Sequence, residues 1–167
     1  MNKLKDKVLV TGASGYIAMH CILELLKSGY AVKASLRDLN KEFEIRKIFD
    51  NYIADNEIEF CKLNLLIDEG WTEAALDCDY MLHIASPFVI EEPNDENELI
   101  EPALQGTLRA LNAAKNSKIK KVVLTSSMAS IAYGHKKDTV NSNDWTDISK
   151  EVGAYIKSKT IAEKAAW

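Results

Sequence analysis

Short apolar runs recur along the chain at Lys7–Thr11, Ala31–Leu36, Ile58–Leu63, Asp79–Ile84 and Lys121–Thr125, and each reads as a strand. Longer segments of helical period separate them. In Tyr16–Ser28, Ile17, Ile22, Leu25 and Leu26 fall on one side, and Gly29 follows as a C-terminal stop. Lys41–Ile53 and Trp71–Leu76 also read as helices, and Glu98–Asn116 as a long helix interrupted near Pro102 and Gly106. Phe88–Glu98 is acidic, carries Pro93 and reads as a surface loop. Gly134–Ser149 reads as a polar loop, and a last helix begins near Val152. Alternating strands and helices predict an α/β fold: a doubly wound parallel sheet covered by helices on both faces.

Composition narrows this picture. A chain of 167 residues is long enough for one domain with a good core. At 47% hydrophobic and 28% charged residues it is an ordinary globular sequence. The net charge of −4 and the lack of a basic stripe argue against nucleic acid as a partner. Cys21, Cys61 and Cys78 are odd in number and lack metal-ligand spacing, so no metal is expected. A reduced, cytoplasmic protein with structural thiols is the simplest reading. Lys3, Lys5 and Lys7 precede an apolar run that Gly12 soon breaks, which is neither a signal peptide nor a membrane span.

The stretch Lys7 to Met19, KVLVTGASGYIAM, carries the first chemistry. Gly12 permits a sharp turn out of the strand, Gly15 lets a pyrophosphate approach the backbone, and Ala18 allows close packing of helix on strand. The free N–H groups and the dipole of the new helix favour phosphate. Glycines also mark plain βα turns, but this motif follows an apolar strand and opens a helix. Thr11-Gly12 with Gly15 resembles the nucleotide loop of the extended short-chain dehydrogenase/reductases, which implies that Thr11, Gly12, Ser14, Gly15, Tyr16 and Ile17 contact a dinucleotide. Arg37 stands at the end of the second strand, where an acid would bond a ribose 2′-hydroxyl. A guanidinium there suits a 2′-phosphate, so NADP (NADPH) is favoured over NAD. Lys41 is long enough to reach the same phosphate, although a loop lysine is usually just solvated.

Further positions extend the resemblance. Asn64-Leu65 stands where that family usually has Asp-Leu beside the adenine; an amide can also accept from the amino group. His83-Ile84-Ala85-Ser86-Pro87 resembles the dihydroflavonol reductase, cinnamoyl-CoA reductase and bacterial aldehyde reductase branch, in which Ala85, Ser86 and Pro87 pass beside the cofactor. His83 lies within the strand pattern and reads as structural. Thr125 ends the fifth strand and leads into Ser126-Ser127-Met128. Tyr155 and Lys159 are four apart on a helix and share one face. A free phenol titrates near pH 10, and a nearby ammonium favours the phenolate.

The segment from Tyr155 to Lys164 resembles the catalytic helix of that branch. The resemblance implies Tyr155 as acid/base, Lys159 as its tuner and a ribose ligand, and Ser127 as the catalytic serine with Ser126 as second candidate. The implied activity is hydride transfer from NADPH to an aldehyde or ketone. Two alternatives stand beside it: an NAD-dependent nucleotide-sugar epimerase or dehydratase, and an NADP-binding module without turnover. The resemblance covers the N-terminal half of the family, whose members continue into further strands and a small substrate domain and are often homodimers. Residues 1–167 therefore read as an incomplete NAD(P)-binding Rossmann domain with five of the usual six or so strands, the substrate domain being absent.

Overall fold

A computed structural model describes residues 5–53, 58–89 and 91–167. The elements in chain order are β1 (Lys7–Val10), α1 (Tyr16–Lys27), β2 (Ala31–Leu36), a 3₁₀ turn (Leu39–Lys41), α2 (Glu42–Asp50), β3 (Ile58–Lys62), α3 (Trp71–Ala75), β4 (Tyr80–His83), α4 (Asn97–Asn116), β5 (Lys121–Leu124), a second 3₁₀ turn (Met128–Ser130) and α5 (Ala154–Ala166). The strands form one parallel sheet in the order β3-β2-β1-β4-β5. Strand order reverses at β1, between β2 and β4, and ligands of open α/β sheets bind beyond the carboxyl ends of strands at such a point.

The chain divides into two compact units, residues 1–85 with 110–125, and residues 86–109 with 126–167. The first contains the whole sheet. Side chains alternate across a strand, so β1 feeds two cores. Val8 and Val10 join Ala18, Ile22, Val32, Ala34 and Phe49 on the side of α1 and α2. Leu9 points the other way, to Trp71, Met81, Ala110, Ala113 and Ala114. Each fully buried Val or Leu contributes roughly 1.5–3 kcal/mol. This explains why the β1 pattern is a continuous apolar run: both of its faces are covered.

The second unit holds the first part of α4, the second 3₁₀ turn, a polar loop and α5. Thr146, 1% exposed, ties the loop to the turn: its hydroxyl donates to the Ala129 carbonyl at 2.7 Å and accepts from the Tyr133 N–H at 3.0 Å. Gly134 has φ +79°, and a Cβ there would lie 2.5 Å from the Asp147 carbonyl oxygen, so only glycine fits this crossing.

Three elements depart from the sequence expectation. The segment Lys41–Ile53 is a 3₁₀ turn followed by a shorter α2, because Asp38 Oδ1 accepts from the Asn40 N–H and starts the turn early. Helix α4 is continuous through Pro102 and Gly106. Pro102 lies near the helix start, so its missing N–H costs one bond to the Glu98 carbonyl. The buried stripe of Leu99, Ala103 and Thr107 runs on past it. Helix α5 begins at Ala154, since Gly153 adopts φ +84°, ψ 154° and cannot be helical.

Candidate active site

The residues singled out in the sequence fall into two groups, one in each unit. In the first unit, Thr11 organises the carboxyl end of β1. It is 0% exposed, and its Oγ1 accepts from the N–H groups of Ile84 and Ala85, both at 3.0 Å. Those two bonds fill its lone pairs, so its proton goes to His83 Nδ1, 3.0 Å away. His83 is thereby a buried acceptor with its proton on Nε2, set edge-on to Trp71 at 5.9 Å between centroids. The structural reading of His83 holds.

Gly12 follows with φ +75°, and a Cβ on it would come within 3.1 Å of Ala85. Its N–H donates to Ser35 Oγ at 3.2 Å, and that of Ala13 to the Ser35 carbonyl at 2.9 Å. Sequence reading missed Ser35. Its only signal was a small hydroxyl residue in an otherwise apolar strand end. The loop then emerges into solvent: Ser14 and Gly15 are exposed, as are Tyr16 and Ile17, at 76% and 55%. Gly15 caps α1 without any side-chain bond, so the helix start presents its backbone donors outward. Tyr16 packs edge-on to His20 at 4.6 Å.

Arg37 is exposed directly after β2, while Asp38 beside it is engaged in the turn to Asn40. Asn64 and Leu65 follow β3, both half-buried. Asn64 Oδ1 accepts from the Leu66 N–H at 3.0 Å and its carbonyl from Trp71 Nε1 at 3.1 Å. Ala85 continues β4, and Thr125 continues β5 with its N–H on the His83 carbonyl at 3.0 Å. The sheet thus gathers Gly12, Arg37, Asn64, Ala85 and Thr125 at strand ends on its carboxyl side.

In the second unit, half-buried Ser86 and Pro87 lead to Phe88, whose ring meets that of Tyr155 at 5.7 Å and 90°. Three residues of the following segment reach α5. Beyond Phe88, Glu92 Oε1 accepts from the Ala154 N–H at 2.5 Å, and Glu96 pairs with Lys157 at 2.5 Å. Tyr155 and Lys159 share a helix face, with Lys159 Nζ 6.0 Å from the phenol centroid. Lys159 is only 8% exposed, and burial pushes its ammonium below its ordinary pKa while the charge of Glu163 opposes that. Ser127 precedes the second 3₁₀ turn, and its Oγ accepts from the Ala129 N–H at 3.1 Å. Ser126 hydrogen-bonds Glu163 instead. A cavity of about 580 Å³ is lined in part by Ser127, Ser130, Asp144, Trp145, Glu163 and Trp167. Among the described residues no helix is long and apolar enough to cross a membrane.

A parallel 3-2-1-4-5 sheet with a glycine turn leaving its central strand defines a Rossmann-like α/β domain. Residues 8–167 match the NAD dependent epimerase/dehydratase family, and the chain belongs to that family. It is 41% identical over 174 residues to a cinnamoyl-CoA reductase of Medicago truncatula, covering 99% of this chain and 53% of that protein. It is 34% identical over 171 residues to a dihydroflavonol 4-reductase of Arabidopsis thaliana, covering 98% and 45%. Among solved structures it is similar to the yeast methylglyoxal/isovaleraldehyde reductase Gre2 complexed with NADPH, at TM-score 0.83 and 31% identity over 96% of this chain and 52% of that one. The chain thus spans about half the length of the curated relatives it matches.

Proposed function

We propose that residues 1–167 are the nucleotide-binding part of an NADP-dependent reductase of aldehydes or ketones. The observation that carries this reading is the Tyr155–Lys159 pair on one face of α5, an ammonium buried to 8% exposure with its Nζ 6.0 Å from the phenol centroid. The dinucleotide fits the first unit by its own features. The uncapped start of α1 offers backbone N–H groups to a pyrophosphate, and a Cβ at Gly15 would press on the Gly12 carbonyl oxygen at 3.2 Å, so glycine keeps this turn tight. Exposed Arg37 is free of the turn that occupies Asp38 and offers a guanidinium to a 2′-phosphate. Ser14, Tyr16, Ile17, Asn64, Leu65, Ala85, Ser86, Pro87 and Thr125 complete the proposed contacts.

Bound NADPH would supply the hydride that reduces a carbonyl carbon. The chain's own part is to stabilise charge and deliver a proton. Ser127 donates its hydroxyl to the carbonyl oxygen, since its Oγ is committed only as acceptor from Ala129. Ser126 is disfavoured because its hydroxyl is engaged with Glu163. Tyr155 gives its phenolic proton to the same oxygen, and Lys159 offsets the charge left behind. General acid catalysis of this kind is worth ~10²–10⁴-fold. The resemblance carries a homodimer with it, and the three free cysteines suit a reducing cytoplasm. An NAD-recycling epimerase is the second reading. Arg37 in the place of an acid counts against it, and Tyr155 with Lys159 counts against a module without turnover.

Titration with NADPH and NADH, followed by nicotinamide fluorescence, tests the cofactor half. NADPH should bind clearly tighter, and Arg37→Ala should erase the difference; equal or tighter NADH binding would overturn the NADP assignment. In whatever form of the protein turns over an aldehyde, Tyr155→Phe should cost about 10²-fold or more in kcat. A variant that kept most of its rate would remove Tyr155 from the acid role.

A further inference from the structure

Glu163 is a charged residue that the reductase mechanism does not use. It lies on α5 one turn beyond Lys159, on the same face. Its Oε2 takes the hydroxyl of Ser126 and lies 2.6 Å from Ser130 Oγ. Ser130 is 1% exposed, and its Oγ is also 2.7 Å from the Ser127 carbonyl, so one proton is shared between two acceptors. A single carboxylate oxygen thus gathers the residues on either side of Ser127 and fastens them to the helix of Tyr155 and Lys159. A bare exposed glutamate would gain little from such contacts, but hydrogen bonds to a carboxylate are charge-assisted and about twice as strong as neutral ones.

We propose that Glu163 is a positioning residue: it sets the serine turn against α5 and stands as counter-charge to the Lys159 ammonium. This rests on the reductase reading for its purpose, though not for its geometry. Lys159 Nζ lies 6.0 Å from the Tyr155 ring centroid on the same helix, while the hydroxyls of Ser126 and Ser130 meet Glu163. Glu163 stands one turn along the same face of α5, and a carboxylate there favours the protonated Lys159 against burial.

Nuclear magnetic resonance of the 167-residue chain tests this without requiring turnover. The Lys159 ε-methylene signal, assigned with Lys159→Arg, is titrated in the wild type and in Glu163→Gln, which keeps an acceptor for the serines but loses the charge. The Lys159 midpoint should shift downward in Glu163→Gln, because the charge that opposes the effect of burial is gone. In the double variant Ser126→Ala/Ser130→Ala, which keeps the charge and frees the turn, the backbone amide at position 130 should exchange faster and the Tyr155 ring signals should shift. An unmoved Lys159 titration in folded Glu163→Gln would overturn the proposal, and so would unmoved Tyr155 signals in the double variant. Failure of NADPH to bind the wild type would instead strike the reductase reading and leave both of these measurements standing.

Discussion

Thr11 shows how one side chain decides what a site residue does. The sequence placed it at the mouth of a nucleotide loop. The fold buries it completely and spends its hydroxyl on Ile84, Ala85 and His83. Thr11→Val keeps the shape and removes every one of these bonds. Each N–H left orphaned costs about 1–3 kcal/mol, so the urea midpoint should fall markedly, and NADPH affinity should fall with it as the turn at Gly12 loosens. The two serines make a similar point. The family resemblance ranked Ser127 ahead of Ser126, but residue type alone does not separate two adjacent serines. Their hydroxyls diverge in space, one toward Glu163 and one toward the Ala129 N–H.

At the scale of elements, α5 depends at its start on a distant residue. Gly153 supplies no side-chain cap, and the helix start is held from outside by Glu92, whose carboxylate accepts from Ala154 and matches the positive end of the dipole. Glu92→Ala should cost about 1 kcal/mol, read as faster hydrogen exchange in the first turn of α5. Because Tyr155 lies in that turn, its ring contact with Phe88 should weaken in the same variant. Helix α4 shows the opposite case. Local signals at Pro102 and Gly106 argued for a break, yet the helix continues. Its buried stripe outweighs one missing hydrogen bond and a poor helix former.

At the scale of the whole molecule, carboxylates set the acid limit. Burial pushes Asp77 up, but hydrogen bonds from Lys33 and Lys7 outweigh it and bring it down from 3.8 to about 2. Lys120 and the Lys7 N–H hold Asp79 down, and Lys137 does the same for Asp144. Lowered carboxylates bind fewer protons folded than unfolded, so their stabilisation is present above pH 4 and is lost as the pH falls toward 2. Urea midpoints should therefore drop steeply between about pH 4 and pH 2, and Asp77→Asn should flatten that slope. The order of elements, the parallel α/β class and the glycine loop were legible in the sequence. Each rests on local physics: strand and helix periods, the conformational freedom of glycine and the i, i+4 face of a helix. The tertiary structure decided what those elements do to one another. It ran α4 through its proline, turned Thr11 inward, gave Ser126 and Ser127 different hydrogen-bond partners, and brought Glu92 to α5 and Glu163 to the serine turn. Those outcomes depend on contacts between residues roughly thirty to seventy positions apart, which no local period encodes.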